Sequence, residues 1–234
     1  MSTAPALDPR HTALLVMDYQ PAVLAVLPKA GDCEALLGRM EGAIADVRAN
    51  GGTIAYVHVG FTEADWDAIP ATNKTFAPVA RHRAMHHEDP AAAIHERLAP
   101  HIGDIIVRKI RYGGISTTDL DQQLRERGIT TLIVSGITTS GVVLSTVIDA
   151  ADRDYQLYVL SDGVADPDAE VHNVLLHQIF PTRAHIIDTT ELHTLLRVTD
   201  SNRSTQTRRV LGGEAECVGG SRCRGLENEL AKRR

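Results

Sequence analysis

Three groups of polar residues stand where apolar runs of the chain end. Asp18 follows ALLVM, Lys109 closes IIVRK, and the stretch GITTSGVVLST, Gly136 to Thr146, offers hydroxyls and backbone amides but no cysteine. A carboxylate leaving a buried strand is tunable, because desolvation raises its pKa and a neighbouring cation lowers it. If the Lys109 ammonium reaches Asp18, the two form a proton-relaying pair. Each feature also has a plain structural role: Asp18 as a turn cap, Lys109 as a solvated strand end, and the hydroxyls as caps in a βα connection. Backbone N–H groups from Thr138 to Val142 are candidates to bind a developing negative charge.

These groups need a scaffold that brings strand ends together. Apolar, β-branched runs recur at 13–18, 53–59, 104–109, 130–136, 156–162 and 184–188, near-continuous as in strands buried on both faces. Helical patterns lie between them at 32–49, 90–98, 117–127, 142–153, 168–179 and 189–196. The alternation predicts an α/β fold, a doubly wound parallel sheet with helices on both sides, whose ligands bind beyond the strands' carboxyl ends. Ser116 and Asp119 have capping-box spacing, Gly128 is placed to end a helix, and Asp166-Pro167 reads as N-cap and first turn. Residues 60–88 read as a long irregular loop, an active-site wall or lid.

Composition narrows the partners. The net charge of −6 disfavours nucleic acid, and no apolar run approaches membrane-spanning length. The start MSTAPALDPRH lacks the character of a secretory signal, so the expected location is cytoplasmic. Cys33, Cys217 and Cys223 form neither a disulfide framework nor a zinc motif. His82, His86 and His87 with Glu88 and Asp89 suggest a metal, but in a solvated loop; no metal and no cofactor is expected. Beyond residue 197 the chain turns polar and Arg/Gly-rich, with eight Lys/Arg against five Asp/Glu in 198–234. That leaves a body of 1–197 and a tail of 198–234 expected to be disordered.

The segments ALLVMDYQ, VRKIRYGGISTTDLDQQLRERGI and TTLIVSGITTSGVVLSTVIDAADRDYQLYVLSDGVADPD together resemble the isochorismatase-like, or cysteine hydrolase, superfamily over residues 10–196. The resemblance implies a six-stranded Rossmann-like α/β/α fold, usually oligomeric (a dimer or tetramer), a non-proline cis peptide near Ile137-Thr138, and an aspartate, lysine and cysteine triad. Asp18 and Lys109 match the first two members. The cysteine position falls on Val142, which has no group to attack with.

Isochorismatases proper also lack the cysteine, and KIRYGGI and GVVLSTVIDA are similar to their segments. There the aspartate protonates an enol ether and water completes the hydrolysis. The family's glutamine after the second strand falls near Gly60 and its fourth-turn tyrosine on Thr138, which sets isochorismate itself apart; the nicotinamidase metal motif is absent.

The expected function is therefore hydrolysis of a small molecule without a cysteine, Asp18 acting as general acid or base and Lys109 tuning it. Gln20, Phe61, Tyr112, Thr138 and Thr139 are the expected substrate contacts. The alternatives are a non-catalytic small-molecule-binding relative and an amide or lactam hydrolase, the latter activating water or recruiting Ser140 or Ser145.

Overall fold

Every one of the six apolar runs forms a strand. In the computed structural model, which describes residues 5, 7–28 and 30–196, these are β1 (Thr12–Met17), β2 (Thr53–Val59), β3 (Ile105–Lys109), β4 (Thr131–Ile137), β5 (Gln156–Ala165) and β6 (His185–Ile187). The helices are α1 (Pro21–Leu24), α2 (Ala30–Ala49), α3 (Glu63–Asp67), α4 (Phe76–Arg81), α5 (Leu120–Glu126), α6 (Leu144–Ala151), α7 (Ala169–Val174) and α8 (189–196). The strands pair in parallel in the order β3-β2-β1-β4-β5-β6.

The two faces of the sheet explain the unbroken apolar runs. Alternate residues of a strand point to opposite faces, so a strand covered on both sides has no place for polar groups. Leu14, Val16, Ile54, Tyr56 and Ile133 pack with Leu37, Met40, Ile44 and Val47 of α2 and with Leu192 and Leu196 of α8. Leu15, Met17, Val57, Leu132 and Val134 face the other way, against Leu120 and Leu124 of α5, Val147 and Ala150 of α6, and Leu175 and Leu176 after α7. The result is the three-layer α/β/α architecture. Edge strand β3 alternates instead, with Ile105, Val107 and Lys109 buried and Ile106 and Arg108 exposed.

The chain runs from β1 out to β2 and β3, then crosses back to β4 on the other side of β1. That reversal opens a crevice at the carboxyl ends of β1 and β4. The approach there is close: a Cβ on Gly136 would lie 2.9 Å from both Cβ and O of Met17, its partner across the ladder.

Local expectations fare unevenly. Gly128 does end α5, at φ 69°, a conformation that favours glycine. The expected helix 90–98 is two 3-10 turns, Pro90–Ala92 and Glu96–Leu98, started by the Asp89 and His95 side chains. The Ser116–Asp119 capping box does not form: Asp119 caps α5 without a side-chain bond to the backbone, and the Thr118 hydroxyl accepts from Leu120 N–H. The cap of α7 is Asp168, accepting from Glu170 and Val171, not Asp166. A π turn, Thr139–Val143, leads into the expected helix 142–153, and another, Leu175–Ile179, ends the expected helix 168–179. Residues 60–88 are no irregular loop, because they hold α3 and α4 around a small core of Phe61, Trp66, Ile69 and Phe76. Among the described residues, no helix is long and apolar enough to cross a membrane. The tail expected at 198–234, with Cys217 and Cys223, lies outside the described residues.

Candidate active site

The crevice holds a buried ion pair. Lys109 Nζ stands 2.8 Å from Asp18 Oδ2, and both side chains are almost wholly buried. Their strands are not neighbours: β2 lies between them, so the lysine and aspartate side chains together bridge two strand spacings, about 9–10 Å. Nζ also donates to Arg111 O at 3.1 Å, which aims the ammonium inward. Asp18 has φ 58°, a left-handed conformation that aspartate adopts more readily than most residues. This breaks the strand alternation after Met17, while Asp18 N–H still donates to Val57 O at 2.8 Å.

Burial pushes Asp18 up to about 6, overriding the Lys109 ammonium, which pulls the other way. Oδ2 is held by Lys109, whereas Oδ1 is buried and has no hydrogen-bond partner. A buried carboxyl oxygen without a side-chain partner is a candidate for proton exchange.

Val142 belongs to the core. It is 2% exposed, and its Cγ1 would lie 3.3 Å from a Cβ on Gly136, the glycine that faces Met17. Cys33 on α2 is the free cysteine among the described residues.

The turn after β4 begins at a cis peptide, Ile137-Thr138, and continues as the π turn. Its amides are less available than the sequence suggests. Ser140 N–H donates to Asp166 Oδ2 at 2.7 Å and Gly141 N–H to Thr138 O at 3.1 Å, which takes these two out of the anion-binding candidates. The Ser140 hydroxyl donates to the same Asp166 oxygen at 2.6 Å, and Thr139 Oγ1 lies 2.9 Å from His172 Nδ1. Asp166 and His172 are the residues that sequence reading missed. Asp166 was legible only as a helix cap, and nothing local marks His172, 33 residues beyond its partner.

The expected substrate contacts divide. Tyr112 reaches the turn, its ring within 3.4–3.5 Å of where a Gly141 Cβ would stand, and its hydroxyl donates to Thr75 Oγ1. Phe76 packs edge-on against Tyr112 at 5.3 Å and next to Phe61 at 6.1 Å, so Phe61, 1% exposed, supports this wall from within. Thr138 and Thr139 lie on the turn, the latter wholly buried. Gln20 is wholly buried, its amide donates to Val59 O and Ala92 O, and its Oε1 accepts from Val59 N–H, so it ties backbone segments together. Of the histidine-rich segment, His86, His87 and Glu88 bring ligand atoms within 4.8 Å of one another, without His82 or Asp89.

The isochorismatase domain model matches residues 12–191. The chain belongs to the isochorismatase family. Among its curated relatives are a ureidoacrylate amidohydrolase RutB of Methylobacterium radiotolerans, 33% identical over 74% of this chain and 75% of that protein, and the uncharacterized isochorismatase family protein YecD of Escherichia coli O157:H7, 30% identical over 80% and 96%. Among solved structures, a cysteine hydrolase from Pseudomonas syringae pv. phaseolicola shares the fold at TM-score 0.73 and 24% identity, covering 85% of this chain and 99% of the other. An isochorismatase family protein from Burkholderia thailandensis has TM-score 0.71 and 26% identity, over 83% and 100%. Family membership and the amidohydrolase among its relatives place the chain among hydrolases.

Proposed function

We propose that this isochorismatase-family hydrolase brings water directly to a small-molecule substrate, with Asp18 moving the proton, Lys109 stabilising its charge, and no covalent enzyme intermediate. The observation that carries this reading is the buried Asp18–Lys109 pair with Oδ1 unengaged. With Asp18 near 6, both protonation states are populated around neutral pH, the condition for efficient proton transfer.

For an enol ether, protonated Asp18 gives its proton to the vinylic carbon, and the Lys109 ammonium stabilises the carboxylate left behind. The resulting oxocarbenium ion takes up water, whose lost proton returns to Asp18. The hemiketal then collapses to a ketone and an alcohol.

A second reading is amide hydrolysis, favoured by the relatives named ureidoacrylate amidohydrolase. There the Asp18 carboxylate takes a proton from water as it adds to the carbonyl, and the same proton goes to the departing nitrogen as the tetrahedral intermediate breaks down. The N–H groups of the β4 turn would receive the oxyanion.

The pH profile separates the two by sign. An acid role loses rate as pH rises through about 6; a base role gains rate over the same interval. The experiment offers purified protein isochorismate, reading pyruvate release, and ureidoacrylate, reading substrate loss, with Asp18→Asn alongside. Turnover of either that is lost in Asp18→Asn supports the proposal. Binding without turnover of any tested substrate would favour the non-catalytic relative instead.

A further inference from the structure

We propose that His172 is a positioning residue that fixes the β4 turn through the Thr139 hydroxyl; the inference rests on the reading of that turn as part of the catalytic site. Thr139 follows the cis peptide directly and opens the π turn that carries Val142, so its side chain sets the direction of the turn as it leaves the sheet. Because the side chain is wholly buried, its hydroxyl has no water to fall back on, and the His172 ring at 2.9 Å supplies its hydrogen-bond partner.

The second tether explains why this one matters. Asp166 holds the next residue, Ser140, by both its N–H and its hydroxyl. Asp166 and His172 both follow β5, so the turn is pinned from behind at two successive residues by one neighbouring segment. The Tyr112 ring closes against Gly141, the next residue. A π turn has looser intrinsic hydrogen bonding than an α-helical one and recurs at functional sites; here side chains replace the regularity that the backbone lacks.

Burial holds His172 below the usual imidazole range, against the pull of Asp166 and with some help from His177. The ring is therefore neutral at neutral pH, and one tautomer leaves Nδ1 free to accept the Thr139 proton. Asparagine can place a polar group near the position of Nδ1, whereas phenylalanine keeps the ring's bulk and loses the bond. That contrast separates positioning from packing.

The test has two arms. The first reads ¹⁵N shifts of the His172 ring in the wild type and in Thr139→Val, and needs no substrate. The proposal expects the Nδ1 signal to move when its partner hydroxyl is removed; an unmoved signal overturns it. The second measures kcat and KM with isochorismate and ureidoacrylate for the wild type, His172→Phe and His172→Asn.

The expected result is a kcat lower by about fivefold to tenfold in His172→Phe, the value of one hydrogen bond, with KM little changed and most of the loss recovered in His172→Asn. Equal rates in the wild type and His172→Phe would overturn the proposal, as would an Asn variant as slow as the Phe variant. A covalent substrate adduct on Thr139 would also overturn it, because Thr139 would then be a nucleophile and His172 its base. If neither compound is turned over, the proposed hydrolysis fails for these substrates, while the first arm still decides whether His172 holds Thr139.

Discussion

Replacing Lys109 with Met leaves a buried carboxyl group without its cation, and the cost should depend on pH in a definite direction. In the wild type Asp18 is raised from its ordinary 3.8 to about 6. The folded state therefore binds the proton more tightly than the unfolded chain, and stability falls by about 3 kcal/mol as pH climbs through that window, then levels off. At 2.8 Å and an effective dielectric of about 20, the Lys109 attraction is worth about 6 kcal/mol before the desolvation of the ammonium is set against it.

Without Lys109 the Asp18 pKa moves higher still. Below about pH 5 Asp18 is protonated in both proteins, needs no counter-charge, and Lys109→Met should cost under about 1 kcal/mol. Above about pH 6 the wild type is level while the variant keeps losing about 1.4 kcal/mol per pH unit, giving a difference of about 3 kcal/mol near pH 8. Urea unfolding at several pH values, with m compared between proteins, reads this directly. His58 also responds to Lys109, so both proteins are measured in a His58→Gln background. A stability difference that stays constant from about pH 5 to about pH 8 would refute the coupling and, with it, the poised carboxyl on which the proposed chemistry depends.

Three further outcomes test separate parts of the site. Gly141→Ala would bring a Cβ to 2.7 Å from Thr138 Oγ1 and into contact with the Tyr112 ring, so turnover should drop and unfolding should shift by about 1–3 kcal/mol; wild-type behaviour would show that the turn yields freely. Gln20→Leu removes three hydrogen bonds and strands the buried Ala92 carbonyl and the half-buried Val59 backbone groups, and should cost at least about 2 kcal/mol in urea unfolding, a loss under about 0.5 kcal/mol counting against the clamp. Alkylation of the cysteines with iodoacetamide should leave turnover unchanged. Cys33 lies on α2 with its thiol pushed up by burial and by Asp32 and Glu34, and substrate-protected inactivation would contradict a mechanism without a thiol.

The sequence by itself determined the sheet and the main helices that cover it. Near-continuous apolar runs can be stable only inside a covered parallel sheet, and that requirement acts locally enough to be read from residue order. It also marked Asp18 and Lys109, because polar residues at the ends of such runs are conspicuous.

Tertiary structure decided what pairs with what. Nothing in residue order says that Lys109 reaches past β2 to Asp18, since that depends on β3 being the edge strand two places away. The Gln20 side chain looked available for substrate because its partners, Val59 and Ala92, are 39 and 72 residues distant. The Asp166 and His172 tethers were hidden likewise: a hydrogen bond is set by position in space, and the segments after β4 and β5 meet only once those strands pair. Local turn chemistry was misread where tertiary packing supplied a better partner, as at Asp166, which binds Ser140 while Asp168 caps α7. Periodicity reports which face is buried; only the assembled fold reports which polar groups share that interior.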